Sequence, residues 1–272
     1  MVSTDTLLAN AQHCVLAYRT DDGPAMMPAA CWSDGGGLWL TVPWRSAIFG
    51  ALRRDPHCAV WIGPPTVSDR GVAIDGNARI YDLSDPVGLA LHAATISAAM
   101  AALALTHGSE LAGYVRDLPR LSRRWPPRSR ALIRIRIDRA RTRLAPQQVT
   151  GVGPVLPTEV PSGVRRALTG VRHVTLALQR AGTLTVQPAV WSAGFQVDVA
   201  ASVVPDPKTP ACIAVVRQDD GRPSRKIGLM LRGTVDSGFR FRPVDATWWE
   251  GLRDGSSELR DPLTPSGIVL PD

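Results

Sequence analysis

The chain has 272 residues, of which 44% are hydrophobic and 20% are charged, and its formal net charge is +7. This composition is typical of a globular protein and excludes a disordered chain, and the length suits one large or two ordinary domains. Neither a membrane-length apolar run nor an N-terminal secretion signal is recognised, so a cytoplasmic protein with no membrane partner is predicted. The four cysteines lack metal-ligand spacing and are expected to be free, buried thiols (Cys14, Cys31, Cys58 and Cys212).

The first third of the chain predicts an antiparallel β-meander followed by a short helix. Residues 13–19, 24–31 and 37–42 are short and β-rich, and Asp-Asp-Gly and Asp-Gly-Gly turn signals separate them. Residues 44–54 then have helical spacing, which the following Asp55-Pro56 pair ends.

Two further strands, a helical insertion and a long strand are predicted next. The strands cover residues 57–62 and 71–82, and Asp85 before a proline predicts a helix start. That helix is expected to reach about Thr106 and, being rich in alanine and apolar residues, to be buried; a second helix is predicted from Ser109 to about Leu121. Residues 131–144 alternate as a strand whose phase changes, which predicts a β-bulge near Asp138.

Arginines are concentrated around that long strand. Residues 116–143 contain eleven arginines against two aspartates. A nucleic-acid surface is one interpretation of such a cluster. We favour a solvated face or the rim of a site for an acidic cofactor, because Trp125 is the only tryptophan among these arginines and the strand alternates.

An internal repeat suggests two copies of one domain. His13-Cys14-Val15-Leu16-Ala17-Tyr18 is matched by His173-Val174-Thr175-Leu176-Ala177-Leu178, and Gly71 to Gly76 is matched by Gly228 to Gly233. Repeats of this length indicate tandem domains and not a solenoid. We predict a first domain over 1–144 with a helical insertion at 85–123, a linker at 145–170, a reduced second domain over 171–252 and a loose tail over 253–272.

Three stretches carry a resemblance to a known family: residues 39–46, residues 52–60 with Leu52-Arg53-Arg54-Asp55-Pro56, and the Gly71 to Gly76 strand. They resemble the pyridoxamine 5′-phosphate oxidase-like superfamily of split β-barrel flavoproteins, which includes actinobacterial F420-dependent reductases. The resemblance implies a mainly β (α+β) fold of two tandem split barrels that form a pseudo-dimer, with FMN or F420 bound between them. It implies an oxidoreductase with a small-molecule substrate. It also implies that the protein is either a monomer built as a pseudo-dimer or a homodimer.

The resemblance also implies a set of cofactor-binding residues. The family places a serine after the third strand with a cation two residues later; here Ser46 fits but Ile48 takes the cationic position, so Arg45 is expected to substitute. The predicted set is Thr41, Trp44, Arg45, Ser46, Arg53, Trp191 and Arg225. In the second copy Pro205 and Pro207 forbid the equivalent helix, so at most one cofactor per chain is predicted.

Alternatives remain at several of these residues. Trp191 matches Trp32 in the repeat, which also fits simple core packing, and Trp44 could equally close the barrel end. Haem ligation by His92 or His107 is a weaker alternative. Neither a catalytic residue nor a metal site is assigned, so the chemistry would be the cofactor's own. A non-catalytic ligand-binding or interaction protein that has lost its cofactor is the competing hypothesis.

Overall fold

The computed structural model describes residues 3–44, 46–63, 70–82, 84–108, 112, 130–146, 151–200, 205–217, 226–250 and 253–259. Within them the protein is mainly β and contains a closed barrel and a second, open sheet, in agreement with the predicted fold class. Two helices extend from one side of the barrel, between its fifth and sixth strands.

Six antiparallel strands form the closed barrel in the spatial order β1-β2-β3-β6-β5-β4. Their bounds are β1 His13–Thr20, β2 Gly23–Ser33, β3 Gly37–Pro43, β4 His57–Ile62, β5 Arg70–Tyr81 and β6 Arg130–Leu144. The helices of this half are α1 Thr4–Ala9, α2 Ala47–Arg54, α3 Pro86–Leu91 and α4 Ala93–Thr106. Alternation along β6 points Ile133 and Ile135 into the core, where both are fully buried, while Arg134 and Arg136 face outwards.

The second sheet has seven strands in the order β13-β12-β11-β10-β7-β8-β9. Helix α5 Ser162–Leu168 precedes β7 His173–Arg180, β8 Thr183–Ser192, β9 Gln196–Val199, β10 Thr209–Arg217, β11 Ile227–Val235, β12 Phe241–Glu250 and β13 Arg253–Glu258. An isolated antiparallel bridge joins Gln196 of β9 to Arg240, the residue directly before β12, so β9 meets the start of β12 without forming a continuous ladder. The neighbour order of β7 to β12 repeats that of β1 to β6, although descent from a tandem duplication stays a prediction.

Local sequence signals explain several boundaries. The Ser46 and Asp85 side chains each accept a hydrogen bond from an N–H in the first turn of the helix that follows, as Asp85 was predicted to do. In the β5–β6 pair, Asp75 lies opposite Arg139 and Gly76 lies opposite Ile137, which leaves Asp138 unpaired. The bulge predicted near Asp138 is therefore confirmed. Beyond it Ala140 packs against the barrel's core, while Thr142 and Leu144 are exposed.

Three predictions from the sequence were wrong in part. Residues 253–258 form β13 on the edge of β12 and are not part of a loose tail. The predicted linker contains α5, and its Val164 and Leu168 are buried in the second core, because an amphipathic turn docks there.

The helix from Asp85 breaks at His92, and most of it is exposed instead of buried. The second helix predicted over 109–121 lies outside the described residues, apart from residue 112.

The two sheets share one apolar core. Buried side chains of the second sheet join the barrel's cluster, and they are Ala177, Leu184, Val186, Cys212, Ala214 and Met230. The Met26 N–H of β2 donates a hydrogen bond to Met230 Sδ at 3.3 Å across this junction. Beside it, Gly23 has a φ of +109°, which turns β1 into β2, and a Cβ there would lie 3.3 Å from Pro210. The two halves therefore pack as closely as the halves of one domain.

All four cysteines are free and buried, as predicted. None of the helices in the described residues is long and apolar enough to cross a membrane.

Candidate functional site

The turn from β3 into α2 forms a polar end of the barrel. Ser46 Oγ donates a hydrogen bond to the Pro43 carbonyl oxygen at 2.6 Å and accepts one from the Phe49 N–H at 3.4 Å. Ser46 thus fixes the start of α2, whose first-turn N–H groups have no intrahelical acceptors. N–H groups at the start of a helix favour binding of an anion, and the positive end of the helix dipole adds to that preference.

Arg130, the first residue of β6, lies beside this turn. It pairs with Pro43 in the sheet, its Nε donates to Thr41 Oγ1 at 2.8 Å, and its Nη2 donates to the Thr41 carbonyl oxygen at 2.8 Å. Arg130 belongs to the arginine cluster that was predicted to be either a solvated face or the rim of a site for an acidic cofactor. Arg130 reaches Thr41 because β3 and β6 pair in this register, and the sequence has no local signal for that pairing.

Trp44 lies on the same turn and is 37% exposed. The structure therefore brings three predicted residues together at the end of β3, namely Thr41, Trp44 and Ser46, and adds Arg130 to them. Arg45 lies between Trp44 and Ser46 in the sequence, but it is outside the described residues and its role stays a prediction.

Arg53 lies at the opposite end of α2, so it does not join this cluster. Seven residues of helix separate it from Ser46, a rise of about 10 Å. Its guanidinium lies 3.7 Å from Asp82 Oδ2 and 5.6 Å from the centre of the Phe49 ring. It lines a separate cavity of about 250 Å³ together with Leu52, Pro56, Ala78, Ile80, Asp82, Ser84 and Asp85.

Trp191 is part of the second core and was wrongly included among the cofactor-binding residues. Its side chain is 1% exposed, and its Nε1–H donates to the Val171 carbonyl oxygen at 2.7 Å. The alternative of structural packing, suggested by its match to Trp32, explains this placement. Arg225, the other residue predicted from the second copy, lies outside the described residues.

Ile48 explains why this chain has no cation two residues after Ser46. Its side chain is 3% exposed and packs in the barrel's core. A lysine or arginine at position 48 would either bury its charge or leave the core. A cation that binds an anion at this turn would therefore come from another residue. Arg130 is the described residue that supplies a guanidinium beside Thr41.

A second candidate cavity lies at the seam between the barrel and the second sheet. It has a volume of about 220 Å³ and is lined by Thr142, Arg143, Leu144, Gln187, Pro188 and Ala200. None of the predicted residues that the structure describes lines it. Its walls come from the end of β6 and from β8, so its existence depends on the packing of the two sheets and has no local signal in the sequence.

These donors fit the phosphate of a flavin or deazaflavin in chemistry. Backbone N–H groups at a helix N-terminus and a guanidinium are the groups that bind phosphate oxygens in proteins. The α2 turn with Arg130 and the seam with Arg143 each provide part of such a set. The first is more complete, because it combines the helix end, a cation and an aromatic side chain.

His107, one of the two histidines considered for haem ligation, lies between α4 and β2. No group of three or more histidine, cysteine or carboxylate side chains is placed to hold a metal ion in this part of the chain. His107 is 7% exposed, its Nε2 lies 3.1 Å from the Cys31 carbonyl oxygen, and its ring meets that of His13 edge-on at 5.4 Å. These contacts give His107 a structural role between α4 and β2.

Comparison with known proteins gives a likeness of fold only. No family model and no curated protein matches the sequence. Among solved structures, a candidate pyridoxamine 5′-phosphate oxidase from Listeria innocua is 20% identical, with 50% of this chain and 91% of that chain covered at a TM-score of 0.32. A FAD-binding protein from Mesorhizobium loti is 15% identical, with coverage of 51% and 90% and a TM-score of 0.36.

An F420 reductase is 18% identical, with 52% of this chain and 98% of that chain covered at a TM-score of 0.36. At such identities and TM-scores these likenesses carry no argument about ligand or activity. The described residues on which the resemblance was based all lie in the closed barrel, in helix α2 beside it or in the turns that join the two. The chain is similar to these solved structures in fold alone, and no ligand or activity is carried over from them.

Proposed function

We propose that the protein is a cytoplasmic oxidoreductase that binds FMN or F420 and acts on a small organic substrate. The observation that supports this proposal is the polar turn after β3, where Ser46 begins α2 and donates a hydrogen bond to the carbonyl oxygen of Pro43. Pro43 is the strand residue that pairs with Arg130, whose guanidinium binds Thr41. The described residues contain no arrangement that suggests another kind of catalysis. A bound flavin or deazaflavin would supply the hydride chemistry.

In this proposal the chain's own residues bind and orient the cofactor. The first-turn N–H groups of α2 and the Arg130 guanidinium would hold its phosphate, with Arg45 as a further cation. Thr41 would position Arg130 through the two hydrogen bonds that join them. The exposed surface of Trp44 would cover an aromatic ring.

A second candidate is a non-catalytic binding protein of the same fold. It is favoured by Ile48, which occupies the family's cationic position and is buried, and by the size of the cavities. The two cavities have volumes of about 220 and 250 Å³, below the roughly 300–1,000 Å³ that is usual for small-molecule sites. A flavin ring would therefore have to lie partly exposed.

Cofactor binding distinguishes the two candidates. The full chain, purified without added cofactor, is expected to carry the visible absorbance of a flavin or deazaflavin, or to acquire it when titrated with FMN or F420. Quenching of Trp44 fluorescence, absent from a Trp44→Leu variant, would locate the ring at the α2 turn. A colourless protein that binds neither compound in calorimetry would refute the oxidoreductase proposal and favour the binding protein.

A further inference from the structure

Helices α3 and α4 form an apolar surface that the described residues leave uncovered. Residues 86–106 contain no Asp, Glu, Lys or Arg. Large side chains project from them into solvent: Val87 is 67% exposed, Leu91 77%, Met100 47% and Leu105 84%. Helices that are apolar on all sides are normally buried, and contiguous apolar patches on a protein surface mark interaction sites.

The inner side of this pair is already occupied. Ala99 and Leu103 are buried against Trp39, Tyr81 and Leu132 on the outside of the barrel. The opposite side of α4 carries the exposed residues, so the patch is not a gap in the barrel's own core. Whatever covers it must come from outside the described fold.

The exposed apolar residues follow the spacing of a helix-pairing seam. They recur at alternating intervals of four and three residues on both sides of the break at His92, and all six are exposed: Val87 and Leu91 on α3, and Ala94, Ala98, Ala101 and Leu105 on α4. This is the repeat with which one helix packs against another in a coiled coil. Alanines at the centre of the seam allow two helix axes to approach closely, and leucines flank them.

We propose that this seam, defined by those six residues, binds the same seam of a second copy of the chain. An identical seam is complementary because both are apolar and neither presents a charge that the other must neutralise. A two-fold axis near Ala98 would place the two α4 helices antiparallel, with Leu105 of each copy towards Leu91 of the other. A lipid surface fits less well, because interfacial helices carry a strongly charged polar face and α4 has none.

The area is sufficient for a specific but modest association. Helices α3 and α4 contain 6 and 14 residues. Twenty helical residues span about 30 Å, so one exposed half of a helix about 5–6 Å in radius offers about 500 Å². Two copies would bury about 1,000 Å², the size at which specific interfaces begin, so dissociation in the micromolar range is expected.

Sedimentation equilibrium of the full chain over a range of concentrations tests the proposal. The wild type is expected to pass from 29.2 kDa towards twice that mass. Ala98→Glu and Leu105→Glu each place a carboxylate in the seam and should raise the dimer dissociation constant at least about 100-fold, because a buried charge would have no partner. Val155→Glu is the matched control, since Val155 is also exposed, at 87%, but lies outside the seam.

Cross-linking locates the axis independently of folding effects. The four native cysteines are buried, so the cysteine introduced by Ala98→Cys is the thiol that a cross-linker can reach. A short bismaleimide should link Ala98→Cys to itself, while Val155→Cys should stay monomeric. The proposal is overturned by a wild type that is monomeric at all concentrations, by a dimer that Leu105→Glu leaves intact, or by binding of the monomer to phosphatidylglycerol vesicles that Leu105→Glu abolishes.

Discussion

Arg232 of β11 holds Asp245 of β12 through two contacts, Nε to Oδ1 at 3.0 Å and Nη2 to Oδ2 at 2.8 Å. The same guanidinium reaches the barrel, where its Nη1 lies 3.6 Å from Asp22 Oδ2 and 3.5 Å from Thr20 Oγ1. Burial opposes the positive charge, but the hydrogen bonds and charge of Asp245, with that of Asp22, outweigh it and raise the pKa of Arg232. A single side chain therefore connects strands β11 and β12 of the second sheet to the β1–β2 turn.

Replacing Arg232 by methionine should destabilise the protein by about 1.5–3 kcal/mol, because Asp245 would remain largely buried without its partner. Arg180→Met is the control. Arg180 holds Asp206 in the same two-contact geometry, at 2.7 and 3.1 Å, but both side chains are about half exposed, so a loss of less than about 1 kcal/mol is expected. Urea unfolding of both variants measures the difference; equal losses would show that Arg232 does not join the two sheets.

Tyr18 should titrate late. Its side chain is 7% exposed, and burial, with the nearby Cys212, raises the pKa of Tyr18 to about 12 although Arg232 lowers it. The unfolded phenol ionises near 10, so unfolding releases a proton between these values and the free energy of unfolding should fall as the pH rises from about 10 to 12. A tyrosinate absorbance titration of the native protein and of Tyr18→Phe checks this, and an unchanged high-pH step in the variant would contradict it.

Asp34 should contribute stability that depends on its charge. Its carboxylate accepts from the Trp39 Nε1–H at 2.8 Å and the Gly36 N–H at 2.9 Å, and Arg134 lies 3.2 Å away. Partial burial disfavours ionisation, but these bonds and the Arg134 charge outweigh it and lower the pKa of Asp34. Its stabilisation is present above the unfolded aspartate pKa of about 3.9 and is lost as the pH falls through the lower folded value.

Asp34→Asn should therefore lower the melting temperature at neutral pH, and the gap to wild type should close in acid. Asp21→Asn is the control, because the Asp21 side chain is 93% exposed and 3.9 Å from Arg54. A gap that stays constant from neutral pH into acid would mean that the carboxylate acts through shape and not through charge.

The sequence predicted what depends on local patterns. The turns around Gly23 and Gly35, the cap at Asp85 and the bulge at Asp138 all follow from residue types that restrict the backbone nearby. The burial of Trp191 was suggested only by its match to Trp32 in the repeat, and the exposed α4 had no local signal at all. An apolar residue has the same pattern whether it faces a core or an uncovered surface, and only the packing of distant elements distinguishes the two.

The candidate site shows the same limit. Ser46 and Trp44 were found because they follow β3 directly in the sequence. Arg130 lies 89 residues after Thr41 and joins it through strand pairing alone. The seam cavity beside Arg143 needs the docking of two sheets, which no segment specifies by itself.

The phosphate-binding role proposed for the α2 turn predicts a contrast among arginines. Arg45→Ala and Arg130→Ala should each weaken FMN or F420 binding about tenfold to a hundredfold, the effect of losing one charge-assisted contact worth roughly 1.5–3 kcal/mol. Arg136→Ala is the control, because that side chain is 74% exposed and pairs with Asp138 on its own strand. Fluorescence titration gives the dissociation constants, and similar effects from all three would place the phosphate elsewhere.

The last prediction concerns the number of cofactors. The stretch after β9 lacks a counterpart of α2 in its described part: residues 205–208 are not helical, and Pro205 and Pro207 prevent a regular helical turn. The described part of this stretch then offers no helix N-terminus equivalent to that of α2, so calorimetry should give at most one cofactor per chain. Arg130→Ala should weaken that single site, whereas Arg143→Ala, at the seam cavity, should leave both its affinity and its stoichiometry unchanged. If two cofactors bind per chain and Arg143→Ala loses one of them, the cavity beside Arg143 is a second cofactor site despite the missing helix.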